Sequence, residues 1–168
     1  LISAMNPCSC GYYNVPNAEK ECSCSAQQIS KYQKRIPGPL LDRIDLYVDI
    51  SPVKFEKLSG DEKGESSAII SVRVEAAKER QKERFSDKTI RRNGEMSVND
   101  IEKSCVISEE AKALLGQAMK QYSLSARAYH RILKVSRTIA DLAGEMDIDL
   151  THVAEALQYR SKFSEQSL

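Results

Sequence analysis

Residues 5–25, MNPCSCGYYNVPNAEKECSCS, carry four cysteines in two tight pairs, Cys8/Cys10 and Cys22/Cys24. The pattern C-x-C, eleven residues, C-x-C can bring four thiolates to one tetrahedral Zn²⁺. Gly11, Asn14, Pro16 and Asn17 are suited to folding the intervening loop back on itself. Metal binding there would release protons and order a loop too polar to fold alone. The alternative is a cluster of reduced thiols, or a disulfide formed on oxidation, since zinc knuckles more often space their cysteines by two residues than by one. Cys105 stands apart and reads as a small buried hydrophobe.

Arginines supply the other candidate chemistry. In GPLLDRIDL, residues 38–46, Arg43 lies beside Asp42 and Asp45. Such a residue either forms a surface ion pair of small worth or projects from a short turn at the edge of a sheet. In LSARAYHRILKVSRTIADL, residues 124–142, Arg127, Arg131 and Lys134 fall on one helical face, and no acidic residue occurs from Gln121 to Ala140. A face of this kind serves solubility or meets phosphates, which the guanidinium fork suits. Arg91 and Arg92 add a basic loop over residues 86–96. His130 and His152 lack ligand spacing and read as structural. No nucleophile–base constellation is present, and the phosphate-loop pattern GxxxxGK[ST] does not occur in the 168 residues.

The elements that would position these groups follow from composition and pattern. With 41% hydrophobic and 29% charged residues, the chain can build one domain or two small ones. A net charge of +1 restricts any nucleic-acid contact to a local patch. No stretch approaches the ~18 apolar residues of a membrane span, and the start, LISAMNPC, lacks the charged and apolar regions of a signal peptide. The expectation is a cytoplasmic protein with reduced thiols. Because Leu1 opens in the middle of a strand-like segment, a piece of a longer chain is expected.

Residues 1–5 and 46–50 read as two short strands, and Ser25 with Gln28 as a capping box opening a helix to about Arg35. Pro37-Gly38-Pro39 stops that helix, and Leu40–Ile44 adds a further helical turn. Residues 60–64 are polar linker. A long charged helix is expected from Ser66 to Phe85 with Ile69, Val72 and Ala76 on its apolar side, then helices opened by Ser97, Ser108, Ser125 and Thr151. The Ser125 helix carries Ala128, Ile132, Val135, Ile139 and Leu142 as one stripe, ended by Gly144.

Taken together, MNPC, GPLLDRIDL, LSARAYHR, RTIADLAG and HVAEALQYR resemble the C-terminal part of the magnesium-chelatase-like AAA+ ATPases, in the ComM/YifB group of bacterial competence-related proteins. The resemblance covers nearly the whole chain and is weakest over residues 55–65. It implies a mainly α chain: residues 1–52 as the C-terminal end of an AAA+ α/β core with a cysteine-rich insertion, 53–65 as linker, and 66–168 as a helical lid bundle. It implies Asn6 as sensor 1, Arg43 as an arginine finger reaching the neighbouring subunit's nucleotide, and Arg127 as sensor 2, which also contacts nucleotide. Cys8, Cys10, Cys22 and Cys24 match the family's cysteine-rich insertion, where Zn²⁺ is expected; the family usually has Pro at the position of Ser9. ATP and Mg²⁺ would be used by the full-length protein, a ring of like subunits acting on DNA, with Arg91, Arg92, Arg131 and Lys134 as weak DNA contacts and no membrane partner. This piece alone, without the nucleotide-binding motifs, should be inactive. The competing expectation is a zinc-stapled, basic helical module that holds nucleic acid without ATP; a third is a docking domain for protein partners.

Overall fold

A computed structural model describes residues 1–16, 20–41, 43–53 and 64–160. Asn17, Asp42, most of the expected 53–65 linker and residues 161–168 lie outside the described residues. The chain divides into two compact units, one holding the described residues up to 53 and the other those from 64 to 160.

Among its described residues the first unit has two helices, α1 (Ala26–Gln33) and α2 (Gly38–Leu41). Ser25 caps α1: its hydroxyl accepts from the Gln28 N–H, and Gln28 reaches back to the Ser25 N–H at 2.8 Å. Pro37-Gly38-Pro39 does not merely stop α1. Gly38 and Pro39 open α2, where proline's fixed φ suits a first turn. The two strands expected at 1–5 and 46–50 do not form. A strand exists only against a neighbour's backbone, and no neighbouring strand lies beside either segment among the described residues. Leu1, Ile2, Leu46, Val48 and Ile50 are accordingly exposed.

The second unit is helical: α3 (Ser67–Arg84), a 3₁₀ turn (Asn93–Glu95), α4 (Val98–Ser104), α5 (Glu109–Gln121), α6 (Ala126–Ala143) and α7 (Leu150–Gln158). Ser66, Ser97, Ser108 and Ser125 cap α3 to α6, each accepting a backbone N–H three residues on. The last cap differs from expectation. Asp149, not Thr151, caps α7, its carboxylate accepting from the Thr151 and His152 N–H groups. A parallel bridge joins Ile107 to Ile148. The core gathers Phe85, Met96, Ile101, Leu115, Ile132, Leu133, Ala140, Ile148 and Val153.

The buried face of α3 is turned from where apolar spacing puts it, and that of α6 is wider than its apolar stripe. On α3, Ile69 and Val72 are exposed, while Ala77 and Gln81 are buried. On α6 the expected stripe does meet the core, with Ala128 and Ile132 buried and Val135 and Ile139 packed against it; Leu142 is exposed, and Leu133, Ser136, Arg137, Ala140 and Asp141 are buried besides. The polar residues of these buried faces gather around one buried carboxylate. Asp141, fully buried, accepts from both outer nitrogens of Arg84, from Arg137 Nε at 3.2 Å and from Asn93 Nδ2 at 2.7 Å. Arg84 also donates to Asn93 Oδ1 at 3.0 Å, and Gln81 accepts the Asn93 N–H at 3.0 Å. The group thereby joins α3, the 3₁₀ turn and α6.

The end of α6 is closed by the same residues. Glu145 N–H bonds the Ala140 carbonyl at 2.9 Å and Gly144 N–H the Asp141 carbonyl at 3.3 Å, the paired bonds of a Schellman motif, with Gly144 at φ +87°. Arg137 donates to the carbonyls of Met146 at 2.5 Å and Glu145 at 2.6 Å. Arg80 donates to the Asp141 carbonyl at 2.8 Å, its guanidinium lying 3.2 Å from where a Cβ on Gly144 would stand. A side chain at Gly144 would meet both an unfavourable φ and the Arg80 guanidinium.

Removing the acid from a buried ion group leaves its cations without a counter-charge. Asp141→Ala should therefore lower the stability of the 64–160 unit by about 3–5 kcal/mol. Glu79→Ala, which breaks the exposed Glu79–Lys82 pair, should cost less than about 1 kcal/mol. Urea denaturation followed by circular dichroism measures both.

Candidate functional site

The four cysteines converge. Their sulfurs all lie within 4.8 Å of one another. Cys8 Sγ stands 3.3 Å from Cys10 Sγ and 3.8 Å from Cys22 Sγ, and Cys10 Sγ stands 3.5 Å from Cys22 Sγ. Zinc–sulfur bonds of about 2.3 Å at the corners of a tetrahedron put neighbouring sulfurs about 3.8 Å apart. The donor set and its spacing thus fit a four-thiolate metal ion. All four cysteines are free thiols.

Local structure accounts for the convergence. Cys8 to Gly11 forms a turn closed by the Gly11 N–H on the Cys8 carbonyl at 3.1 Å, and Gly11 adopts φ +88°, which a residue with a Cβ resists. Asn14 adds a second left-handed position at φ 52°. The second pair leads directly into the Ser25 cap of α1. At the other end of α1, Gln33 Nε2 donates to the Pro7 carbonyl at 3.1 Å, tying the helix to the residue before Cys8.

The thiols of the cluster perturb one another's ionisation. The Cys10 thiol is lowered to about 6, first by the backbone N–H of Tyr12 and then by the adjacent Cys8 thiol. Cys22 is raised to about 12: the Cys24 backbone N–H favours its thiolate, but desolvation and the neighbouring Cys10 and Cys8 outweigh it. One thiolate suppresses the next. A divalent cation among them would remove that repulsion. Cys105 is a different case, buried in the second unit beside the Leu133 carbonyl, with burial pushing its thiol to about 11.

The remaining expected site residues divide between the units. Asn6 is exposed, its side chain beside Gly11, where an added Cβ would lie 3.9 Å from Asn6 Nδ2. Arg43 is exposed on the turn after α2 and donates from Nη1 to the Pro39 carbonyl at 3.1 Å. In the second unit, Arg127 is the second residue of α6, exposed in its first turn. Arg131 is half-buried, and Lys134 Nζ donates to the Gly94 carbonyl at 3.0 Å. That bond seats the 3₁₀ turn against α6 and brings Lys134 to the loop of the exposed Arg91 and Arg92. The expected basic face is therefore partly spent on holding the fold.

The spacing argument missed Arg84, Asn93, Arg137 and Asp141. The signal was present: Asp141 is the acid that ends a long acid-free stretch, four residues after Arg137. Gln33 and Tyr47 were missed too, and neither carries a local pattern that announces a contact.

Residues 1–58 match the family model for magnesium chelatase, subunit ChlI, and residues 64–160 that for magnesium chelatase, subunit ChlI C-terminal. The chain is 40% identical to competence protein ComM of Haemophilus influenzae over 163 residues, covering 96% of this chain and 30% of that protein. Protein YifB of Salmonella typhimurium is 38% identical over 162 residues, with 96% of this chain and 30% of that protein covered. Protein Rv2897c of Mycobacterium tuberculosis is 33% identical over 160 residues, with 95% and 31% covered. The chain thus spans about 30% of the length of the curated relatives it matches.

Cobalt substitution tests the metal centre. Purified protein should bind one Co²⁺ with the intense sulfur-to-metal absorption of a tetrahedral thiolate site, displaced by Zn²⁺. Cys10→Ser or Cys22→Ser should remove most of that absorption, and Cys105→Ser should leave it unchanged. Binding should weaken as pH falls, because protons compete for the thiolates.

Proposed function

This chain belongs to the magnesium chelatase ChlI family, and on that premise we propose that it is the sensor, arginine-finger and lid portion of an ATP-driven AAA+ ring motor acting on DNA. The observation that supports this reading best is the contrast among the arginines. Arg84 and Arg137 are consumed by Asp141, whereas Arg43 and Arg127 stand exposed in the turns at the ends of α2 and α6. An exposed guanidinium held at a helix end can meet a phosphate that its own chain does not hold.

In this reading Asn6 orients the attacking water. Arg43 stabilises charge developing on the γ-phosphoryl oxygens in the neighbouring subunit, and Arg127 contacts nucleotide bound by its own subunit. The residues that grip the β- and γ-phosphates and Mg²⁺ are not supplied by these 168 residues, which contain no phosphate-loop pattern. Zinc held by Cys8, Cys10, Cys22 and Cys24 would be structural, since four thiolates leave no open position for substrate. It would fix the loop between Asn6 and α1, and through the Gln33 bond the carbonyl beside Asn6.

The printed name of the Haemophilus relative, a competence protein, favours DNA as the substrate of the motor. Arg91, Arg92 and Lys134, gathered around the 3₁₀ turn, with Arg131 on the same helix, would meet the DNA backbone rather than read bases, so the contact would be weak and salt-sensitive. The same gathering is what favours the second reading, a basic nucleic-acid module without ATP.

Mixed rings of the full-length protein separate the two arginines. Arg43→Ala should leave ATP binding nearly intact and lower turnover by roughly 10³–10⁵, the scale of an arginine finger. Mixing it with subunits mutated in the phosphate loop should restore part of the activity, because some interfaces then hold one intact copy of each part. Arg127→Ala should also lower turnover but gain nothing from the same mixing, since both defects strike one subunit's nucleotide. Turnover within a few-fold of wild type for both variants would favour the module without ATP.

A further inference from the structure

Building on the reading of Arg43 as the group that acts across the subunit boundary, we propose that Tyr47 is its positioning residue. Helix α2 has four residues, so its last carbonyls need partners from beyond the helix. Arg43 itself supplies two: its guanidinium donates to the Pro39 carbonyl at 3.1 Å and its backbone N–H to the Leu40 carbonyl at 2.9 Å. The third, Leu41, accepts the Ile44 N–H at 3.1 Å and, on its other side, the Tyr47 hydroxyl at 2.6 Å. A carbonyl oxygen has two lone pairs, and both are used.

The Tyr47 hydroxyl thus draws the chain after Arg43 back onto the end of the helix before it. Apolar packing does little of this work. Leu40, Leu46, Val48 and Ile50 are exposed, and among the described residues of the turn Leu41, Ile44 and Tyr47 are half-buried. Arg43 sits inside the segment from Leu41 to Tyr47 that the bond closes. Without the bond the turn would sample more conformations, and fewer of them would aim the guanidinium at a fixed phosphate. In this role Tyr47 acts through Arg43 and not on the nucleotide itself.

Tyr47→Phe removes the donor and keeps the ring. In the full-length protein it should lower kcat for ATP hydrolysis by roughly two- to twelvefold, the range set by the net strength of one hydrogen bond. KM for ATP should not change. Subunits mutated in the phosphate loop should rescue Tyr47→Phe in mixed rings as they rescue Arg43→Ala, a result that a merely structural role would not give. Arg43→Ala, assayed alongside, decides the underlying reading: if it retains full turnover, Arg43 is not a finger and the role of Tyr47 falls with it. If Arg43→Ala is inactive, then wild-type kcat, a raised KM or no rescue for Tyr47→Phe overturns the role of Tyr47 alone.

Discussion

Four thiols converge in a first unit whose described residues bury almost no apolar core. Among the described residues up to 53, only Cys8 and Ile29 are buried hydrophobes, while Leu1, Ile2, Leu40, Leu46, Val48 and Ile50 face solvent. A single isoleucine cannot offset the entropy of ordering some fifty residues, at about 1–2 kcal/mol for each backbone unit fixed. The stabilisation has to come from elsewhere, and the cysteine cluster is the candidate with enough of it. Structural zinc sites contribute on the order of 10 kcal/mol in small domains. The turn at Gly11 and the Gln33 bond to Pro7 lie on either side of the place where the sulfurs meet.

The second unit solves its problem differently, with a full apolar core and one charged group inside it. Asp141 is worth its desolvation because every neighbour that could be left stranded is also satisfied. Arg84 spans the carboxylate, Asn93 bridges Arg84 and Asp141, and Arg137 divides its donors between Asp141 and the carbonyls beyond α6. Burial works against the charge of Arg137, and Asp141 is what opposes that cost. The consequence for function is geometric. Arg127 lies at one end of α6 and the Asp141 group at the other, so the carboxylate that docks α6 on α3 also fixes where the first turn of α6 points.

Local chemistry in the sequence was a good guide and long-range chemistry a poor one. Ser25, Ser66, Ser97, Ser108 and Ser125 cap helices where the pattern put them, because a cap is decided within four residues. Asp149 was passed over for Thr151, since an aspartate three residues before His152 completes a capping box without the usual Glu or Gln. The α3 face was misread and the polar half of the buried α6 face missed for a shared reason: apolar spacing assumes that buried means apolar, and here Gln81, Arg137 and Asp141 are buried as partners. The strands at 1–5 and 46–50 failed because alternation records a preference for pairing and cannot supply the neighbour. At the candidate site, the cysteine spacing was legible as a ligand set, whereas the Tyr47 and Gln33 contacts join residues 6 and 26 positions apart and leave no periodic trace.

If metal is what orders the first unit, its removal should unfold that unit and spare the other. Amide hydrogen exchange with bound Zn²⁺, and again after chelation, tests this most directly. Residues 26–33 should be protected in the zinc form and exchange at nearly the unfolded rate once zinc is removed, while residues 126–143 keep their protection throughout. Unchanged protection of residues 26–33 after complete chelation would contradict the account, because the helix would then owe its order to something other than the four thiols.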